Sequence, residues 1–544
     1  MYKKISLCLV LTLLLSLTII TTPFVSHGKS KDTLIIGVAN TPPTIDHEVG
    51  AGMASQYMIL DNVMAPGAMF PLVRSKEPGM DHVLVPDLSD LTNLQPQLYE
   101  SWEVSPDRKT ATFHLRKGVK SAYGNELTTK DVLWKYERHF ALGAVGRFVM
   151  AVTDIYGTEN IKIIDDYTYV TESTSPNTLQ ELVSTNLYDT IWDSTEARKH
   201  ATPDDPWAQD WISRHGGGFG AYYVADWVAG QHVMLKANPN YWQGKPKIST
   251  VIFKVIPESS NRVAMLKRGE IDIATELAPR EVDSLKGAPG VKIVSIPANT
   301  NDFLVLNQKL VEPFADKRVR QAINYAIPQD AIVETAYYGQ AKPWHAVIPS
   351  MIPGTMNEKE WKYNYDLGKA KKLLDEAGYG NGFSVELYYS AGWPAHETAA
   401  VMVKDSLEKI GVNVDLRKTP TGSFDTLVRS YEAPFAILHE YPAIPNPFFS
   451  SSLYYLSKRA GGAYGAFGYY DSPVLDDLLL KGVETWPLSE QYKIADKAQR
   501  TIMEDAQMGW LVESYYTAGV RDNVENFNWN FASQGTWFHL MSIK

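Results

Sequence analysis

The segment Phe435-Ala436-Ile437-Leu438-His439-Glu440-Tyr441-Pro442 sets an acid at the end of an apolar run. Open α/β sheets bind ligands beyond the carboxyl ends of their strands, so Glu440 stands where a carboxylate could meet a cationic or polyhydroxylated group. A desolvated, charge-assisted pair there would be strong and would fix the ligand's orientation. The blander roles for such an acid are a solvated strand end or a salt bridge to another lobe. Trp393, in Tyr388-Tyr389-Ser390-Ala391-Gly392-Trp393-Pro394, lies between a strand and a helix, and an aromatic face at that position can stack on a side chain, a sugar ring or a cation. Among 14 tryptophans, core packing is the competing role. His439, Tyr441 and Gly392 flank these two residues and join the candidate set, with Tyr454 and Tyr455 as weaker members.

Chemistry that breaks bonds leaves no comparable trace. The chain has no G-x-S-x-G, no Walker A loop and no H-E-x-x-H, and its 12 histidines are scattered without metal-ligand spacing. Gly216-Gly217-Gly218-Phe219-Gly220-Ala221 fits a loose dinucleotide fingerprint, but no strand immediately precedes it and no βαβ unit follows. No catalytic residue, metal site or cofactor is expected. The single cysteine, Cys8, falls in an apolar N-terminal stretch, so no disulfide is available to the rest of the chain.

That stretch has Lys3 and Lys4 ahead of an almost wholly apolar Ile5 to Ile20, then Pro23 and small or polar residues up to Gly28. It reads as a cleavable signal peptide over residues 1–28, with an uncleaved anchor as the alternative. Residues after Cys8 remain hydrophobic, which argues for a soluble periplasmic protein over a lipoprotein. The formal charge is -10, and loss of residues 1–28, with two lysines and no acids, takes it to -12. An acidic chain is a poor partner for nucleic acid or anionic lipid.

At 544 residues the chain exceeds what one core can hold, so several domains are expected. Tyr99 to Val104 and Thr110 to Leu115 flank the turn Ser105-Pro106-Asp107 and predict a hairpin. Thr128, with Asp131 three residues on, predicts a helix start. Asn177 to Ser194 looks helical. Asp366 to Ala377 and His396 to Ile410 read as amphipathic helices, and Ser384 to Tyr389 and Val412 to Leu416 as strands, giving a βαβ unit on a parallel sheet.

Ser101-Trp102-Glu103, Asp107, Thr112-Phe113-His114-Leu115-Arg116, Gly118-Val119-Lys120, Leu127-Thr128 and Asp131-Val132 resemble the S-W-E-x-S-x-D…T-F-x-L-R-x-G-V-K…L-T-A-x-D-V pattern of the peptide/nickel class, family 5, of extracellular solute-binding proteins of ABC transporters. Ser121-Ala122-Tyr123-Gly124 departs from the usual F-H-D-G. The resemblance continues through Asn238-Pro239-Asn240-Tyr241-Trp242, Gly269-Glu270-Ile271-Asp272 and Pro313-Phe314-Ala315-Asp316-Lys317-Arg318-Val319-Arg320-Gln321-Ala322-Ile323.

It implies an α/β, two-lobed periplasmic-binding-protein fold, type II, with a small α/β subdomain inserted in the first lobe. The implied boundaries are 29–70, 205–276 and 515–544 for lobe I, 71–204 for the inserted subdomain and 277–514 for lobe III, with strands crossing at about 277 and about 514 as a hinge. It further implies a monomer that captures a small solute and delivers it to a membrane permease. Gly50, Ala51, Gly52 and Met53 fall where relatives bring backbone close to ligand, and Glu440 where peptide binders usually carry an aspartate for the ligand's α-ammonium. Ala443-Ile444-Pro445-Asn446-Pro447 replaces the usual D-P-D-N. A short peptide leads among ligands, followed by oligosaccharides, opine-like compounds and a nickel chelate. A periplasmic hydrolase or chaperone-like protein is the rival of another class.

Overall fold

The computed structural model describes residues 32–49, 54–142, 150–186, 189–460 and 465–544. The expected signal peptide, with Cys8, and the Gly50 to Met53 segment lie outside the described residues. No described helix is long and apolar enough to cross a membrane.

An eleven-stranded mixed sheet runs through the molecule. In chain order its strands are β1 (Thr33–Val38), β2 (Tyr222–Val228), β3 (His232–Ala237), β4 (Thr250–Val255), β5 (Ile273–Ala274), β6 (Val291–Leu306), β7 (Ala341–Pro343), β8 (Phe383–Ser390), β9 (Val412–Thr419), β10 (Phe435–Glu440) and β11 (Met508–Arg521). Their spatial order is β2-β3-β4-β1-β5-β11-β6-β10-β8-β9, with β7 on β11.

The centre of this order explains the two lobes. β6 and β11 are long antiparallel partners, and each serves one lobe with each end. Val291 to Pro297 pairs with Tyr515 to Arg521, where β5 also joins β11 at Gly519 and Val520. Beyond a register slip between Pro297 and Thr300, the rest of β6 pairs with Met508 to Ser514 on one side and β10 on the other. Residues before the slip still pack with the first lobe: Val282 and Leu285 share a small core with Ile256, Leu266, Ile271 and Leu277, against which Val291 and Ile293 rest. The pairing partners of β6 thus change across Pro297 to Thr300.

The βαβ unit forms as expected. β8 and β9 pair in parallel from Phe383↔Val412 to Ser390↔Thr419, with the helix α1 (Pro394–Glu408) crossing between them. The 99–104 and 110–115 hairpin also forms and belongs to a separate four-stranded sheet completed by Ile161–Asp165 and Thr168–Glu172. At the helix that follows, Thr129–Leu142, the Asp131 carboxylate accepts the Thr128 N–H at 2.9 Å, which is half of a capping box.

The helix expected over Asn177 to Ser194 does not form as one element. Among the described residues, Gln180–Val183 and, separately, Ser194–Ala197 are α-helical, with a turn over Ser184 to Asn186 between them. Asn177 and Asp193 explain the breaks: Asn177 donates to the Val152 carbonyl at 3.0 Å and accepts the Leu179 N–H, while Asp193 caps the second helix through the Glu196 N–H. Such side chains offer the backbone an alternative to a continuous helix.

Candidate functional site

β10 brings the chemistry together because it lies between β6 and β8. Its antiparallel register with β6 sets Asn301 opposite Glu440 and Asp302 opposite His439. Phe435 to Leu438 are buried, so this strand is fixed by its core and presents its last two residues at a cavity. The cavity, about 80 Å³, is lined by Ser390, Trp393, Asp425, Arg429, His439 and Glu440 among others. A site for a drug-sized ligand usually encloses about 300–1,000 Å³, so this space suits one charged end of a ligand.

Glu440 is partly buried at the cavity. Burial pushes its carboxyl up to about 8, against the pull of Arg429 and with a further push from Asp425. Both neighbours come from one helix, Thr421–Arg429, which packs beside the end of β10. A carboxyl held up in this way is largely protonated at neutral pH and becomes anionic when a cation arrives.

Beside it stands a buried group that sequence spacing did not signal. His439 Nδ1 lies 2.6 Å and His396 Nε2 3.3 Å from the same Asp302 oxygen, and the Tyr337 hydroxyl donates to the other oxygen at 2.6 Å. Burial would raise the Asp302 carboxyl, but His439 and His396 pull it well below the usual carboxylate range. His396 comes from α1, Asp302 from β6 and His439 from β10, so only the folded sheet unites them.

Trp393 covers this group. Its ring centroid is 4.0 Å from that of His439 and 5.5 Å from that of His396, yet 42% of the residue remains exposed. It is therefore not a core tryptophan. The loop that carries it is held by Ser390 and Thr421, whose hydroxyls are 3.0 Å apart, and a Cβ on Gly392 would come within 2.7 Å of the Thr421 oxygen. Gly392 is thus a close-approach position under the loop.

Tyr441 leaves the cavity and meets the first lobe, edge-on to Tyr57 at 6.1 Å. The segment after it continues across the interface. Asn299 donates to the Pro442 carbonyl and to Phe531, and Asn186 donates to Ala443 at 3.4 Å. Farther out, Thr178 donates to the Val483 carbonyl at 2.9 Å, Gln491 donates to Thr178 at 2.7 Å, and the Arg108 guanidinium lies 4.1 Å over Trp486. The lobes are in contact around the candidate site. Tyr454 is buried close enough to Glu440 for that charge to raise its hydroxyl, whereas Tyr455 is committed to the Val347 carbonyl at 2.9 Å.

Residues 93–462 match the model of bacterial extracellular solute-binding proteins, family 5. The chain belongs to this family. Family 5 proteins are the solute-binding components of ABC importers, and curated relatives bear transport names. A probable D,D-dipeptide-binding periplasmic protein of Escherichia coli K12 is 26% identical over 522 residues, covering 95% of each chain. The dipeptide-binding protein of the same organism is 25% identical, covering 80% of this chain and 84% of its own. Among solved structures, a periplasmic binding protein of Helicobacter pylori in complex with the peptide STSA superposes with a TM-score of 0.79 at 25% identity, covering 94% of this chain and 98% of that one. A binding protein from A. tumefaciens R10 in complex with agropinic acid gives a TM-score of 0.78 at 24% identity, covering 94% and 99%. The two-lobed α/β fold expected from the sequence is the fold of this family 5 chain.

Proposed function

We propose that this chain captures a short peptide between its lobes in the periplasm and passes it to a membrane permease without altering it. The observation that carries the reading is Glu440, a carboxyl raised by burial at the end of β10 and facing a cavity sized for a charged terminus. A peptide α-ammonium would form a charge-assisted pair with it, and Trp393 offers an aromatic face beside it. The dipeptide-binding names of the relatives support the same class. The long β6–β11 pair supports a hinge: bending near the register slip at Pro297 to Thr300 would part the lobes, and a ligand that touches both favours the closed state. An opine-like ligand is the second reading, favoured by the agropinic acid bound to a similar fold and by the loss of the usual D-P-D-N after β10.

Calorimetry with dipeptides to tetrapeptides, free or acetylated at the amino terminus, tests this. Free peptides should bind more tightly by about 1.5–3 kcal/mol, the range for a hydrogen bond to a charged group, and Glu440→Gln should erase the difference. Equal affinity for free and acetylated peptides would overturn the assignment.

A further inference from the structure

A second buried cluster lies where the loop after β1 meets the helix Thr129–Leu142. His47 and Glu48 come from the loop and His139 from the helix, and the side chains of all three are fully buried. Their nitrogen and oxygen atoms lie within 4.8 Å of one another. His47 Nε2 is 3.1 Å from Glu48 Oε1, and His139 Nδ1 contacts that same oxygen. Trp192 stacks on the His47 ring at 5.3 Å and fixes its plane.

The surrounding charges make this cluster unusual. Asp46 is paired with Arg138, and Asp189 with Lys135 at 2.7 Å, all buried. Those two anions have their own cations. The third buried anion, Glu48, faces two imidazoles. Burial would raise the Glu48 carboxyl, but His139 and His47 pull it well below its usual value, while burial pushes His139 down toward the neutral ring.

We propose that His47, Glu48 and His139 form a site for a divalent transition-metal cation, best suited to Zn2+, that clasps the loop after β1 to the Thr129–Leu142 helix. Two imidazoles and one carboxylate are an established zinc donor set, with ligand bonds of about 2.0–2.2 Å that set neighbouring donor atoms about 3.3 Å apart in a tetrahedron. The 3.1 Å between His47 Nε2 and Glu48 Oε1 already matches that spacing. His47 and His139 are distant in sequence, which is why no ligand spacing was legible there.

The test strips the purified full chain with EDTA, reloads it with Zn2+, desalts it and measures metal per protein by mass spectrometry alongside melting. Wild type and His396→Ala should each keep one equivalent and melt higher with Zn2+, whereas His47→Gln and His139→Gln should keep none and show no shift. Folded wild type that retains no Zn2+ would overturn the proposal. So would retention unchanged in folded His139→Gln, or loss in His396→Ala, which would move the metal to the Asp302 group. If neither glutamine variant folds, Co2+-loaded wild type and His396→Ala decide: metal-shifted ring protons from two histidines in both uphold the site, and their absence refutes it.

Discussion

Proton release on ligand binding follows directly from Glu440. In the ligand-free chain its carboxyl titrates at about 8, raised by burial and by Asp425 against Arg429. A bound ammonium requires the anion, so the proton must leave. Each pKa unit is about 1.36 kcal/mol, so deprotonation costs roughly 2.7 kcal/mol at pH 6 and roughly 1.4 kcal/mol at pH 7, and little above pH 8. Affinity for a free amino terminus should therefore rise close to tenfold per pH unit between pH 5.5 and 7.5, below the titration of the ligand's own amine near 8. The sign for the ligand-free protein is opposite. A carboxyl whose folded pKa is raised stabilises the fold fully below its ordinary value of 4.5, and that contribution is lost as pH rises through about 8. Calorimetry in buffers of different ionisation enthalpy counts the released protons. Wild type should release nearly one at pH 6.5, and Glu440→Gln none, with flat pH dependence. Tight binding of a free peptide by wild type with no proton released and no slope would refute the electrostatic role.

Other consequences are local. Trp393→Ala should weaken a cationic ligand by about 0.5–2 kcal/mol while leaving the melting temperature nearly unchanged, because the ring is 42% exposed; a large loss of stability would make it a core residue. Asp302→Asn removes the anion that holds His396 and His439 and should cost about 3–5 kcal/mol in denaturant unfolding at pH 7. Because the Asp302 pKa is lowered in the fold, that cost should shrink as pH falls below about 4. Asp61 has the reverse sign: burial raises it to about 7, against its bonds from Ser533 and Asn530, so Asp61→Asn should gain stability relative to wild type as pH rises from 5 to 8, and a flat difference would contradict this.

Motif and periodicity reached most of the scaffold. The 99–115 hairpin, the β8-α1-β9 unit and Asp316, which caps Lys317–Tyr325 through the Arg318 N–H at 2.8 Å, are local features, and local residue choice specifies them. The arginines of that helix do have partners: Arg318 pairs with Asp316, and Arg320 donates to the carbonyls of Phe314, Ala315 and Asp505. The register slip of β6 at Pro297 to Thr300 was not legible, because it depends on partners that are distant in sequence. Glu440 and Trp393 were legible as a strand end and a loop aromatic. Asp302, His396 and Arg429 were not, because a strand and two helices distant in sequence bring them together: His396 and Arg429 line the cavity, and Asp302 contacts His396 and His439.

Native mass spectrometry of the purified protein, first as isolated and then with dipeptides to tetrapeptides added, tests the central claim most directly. The account predicts a one-to-one complex whose ligand is released on denaturation as an intact peptide with a free amino terminus. Recovery of cleaved peptide, or binding confined to solutes without a cationic group, would contradict it.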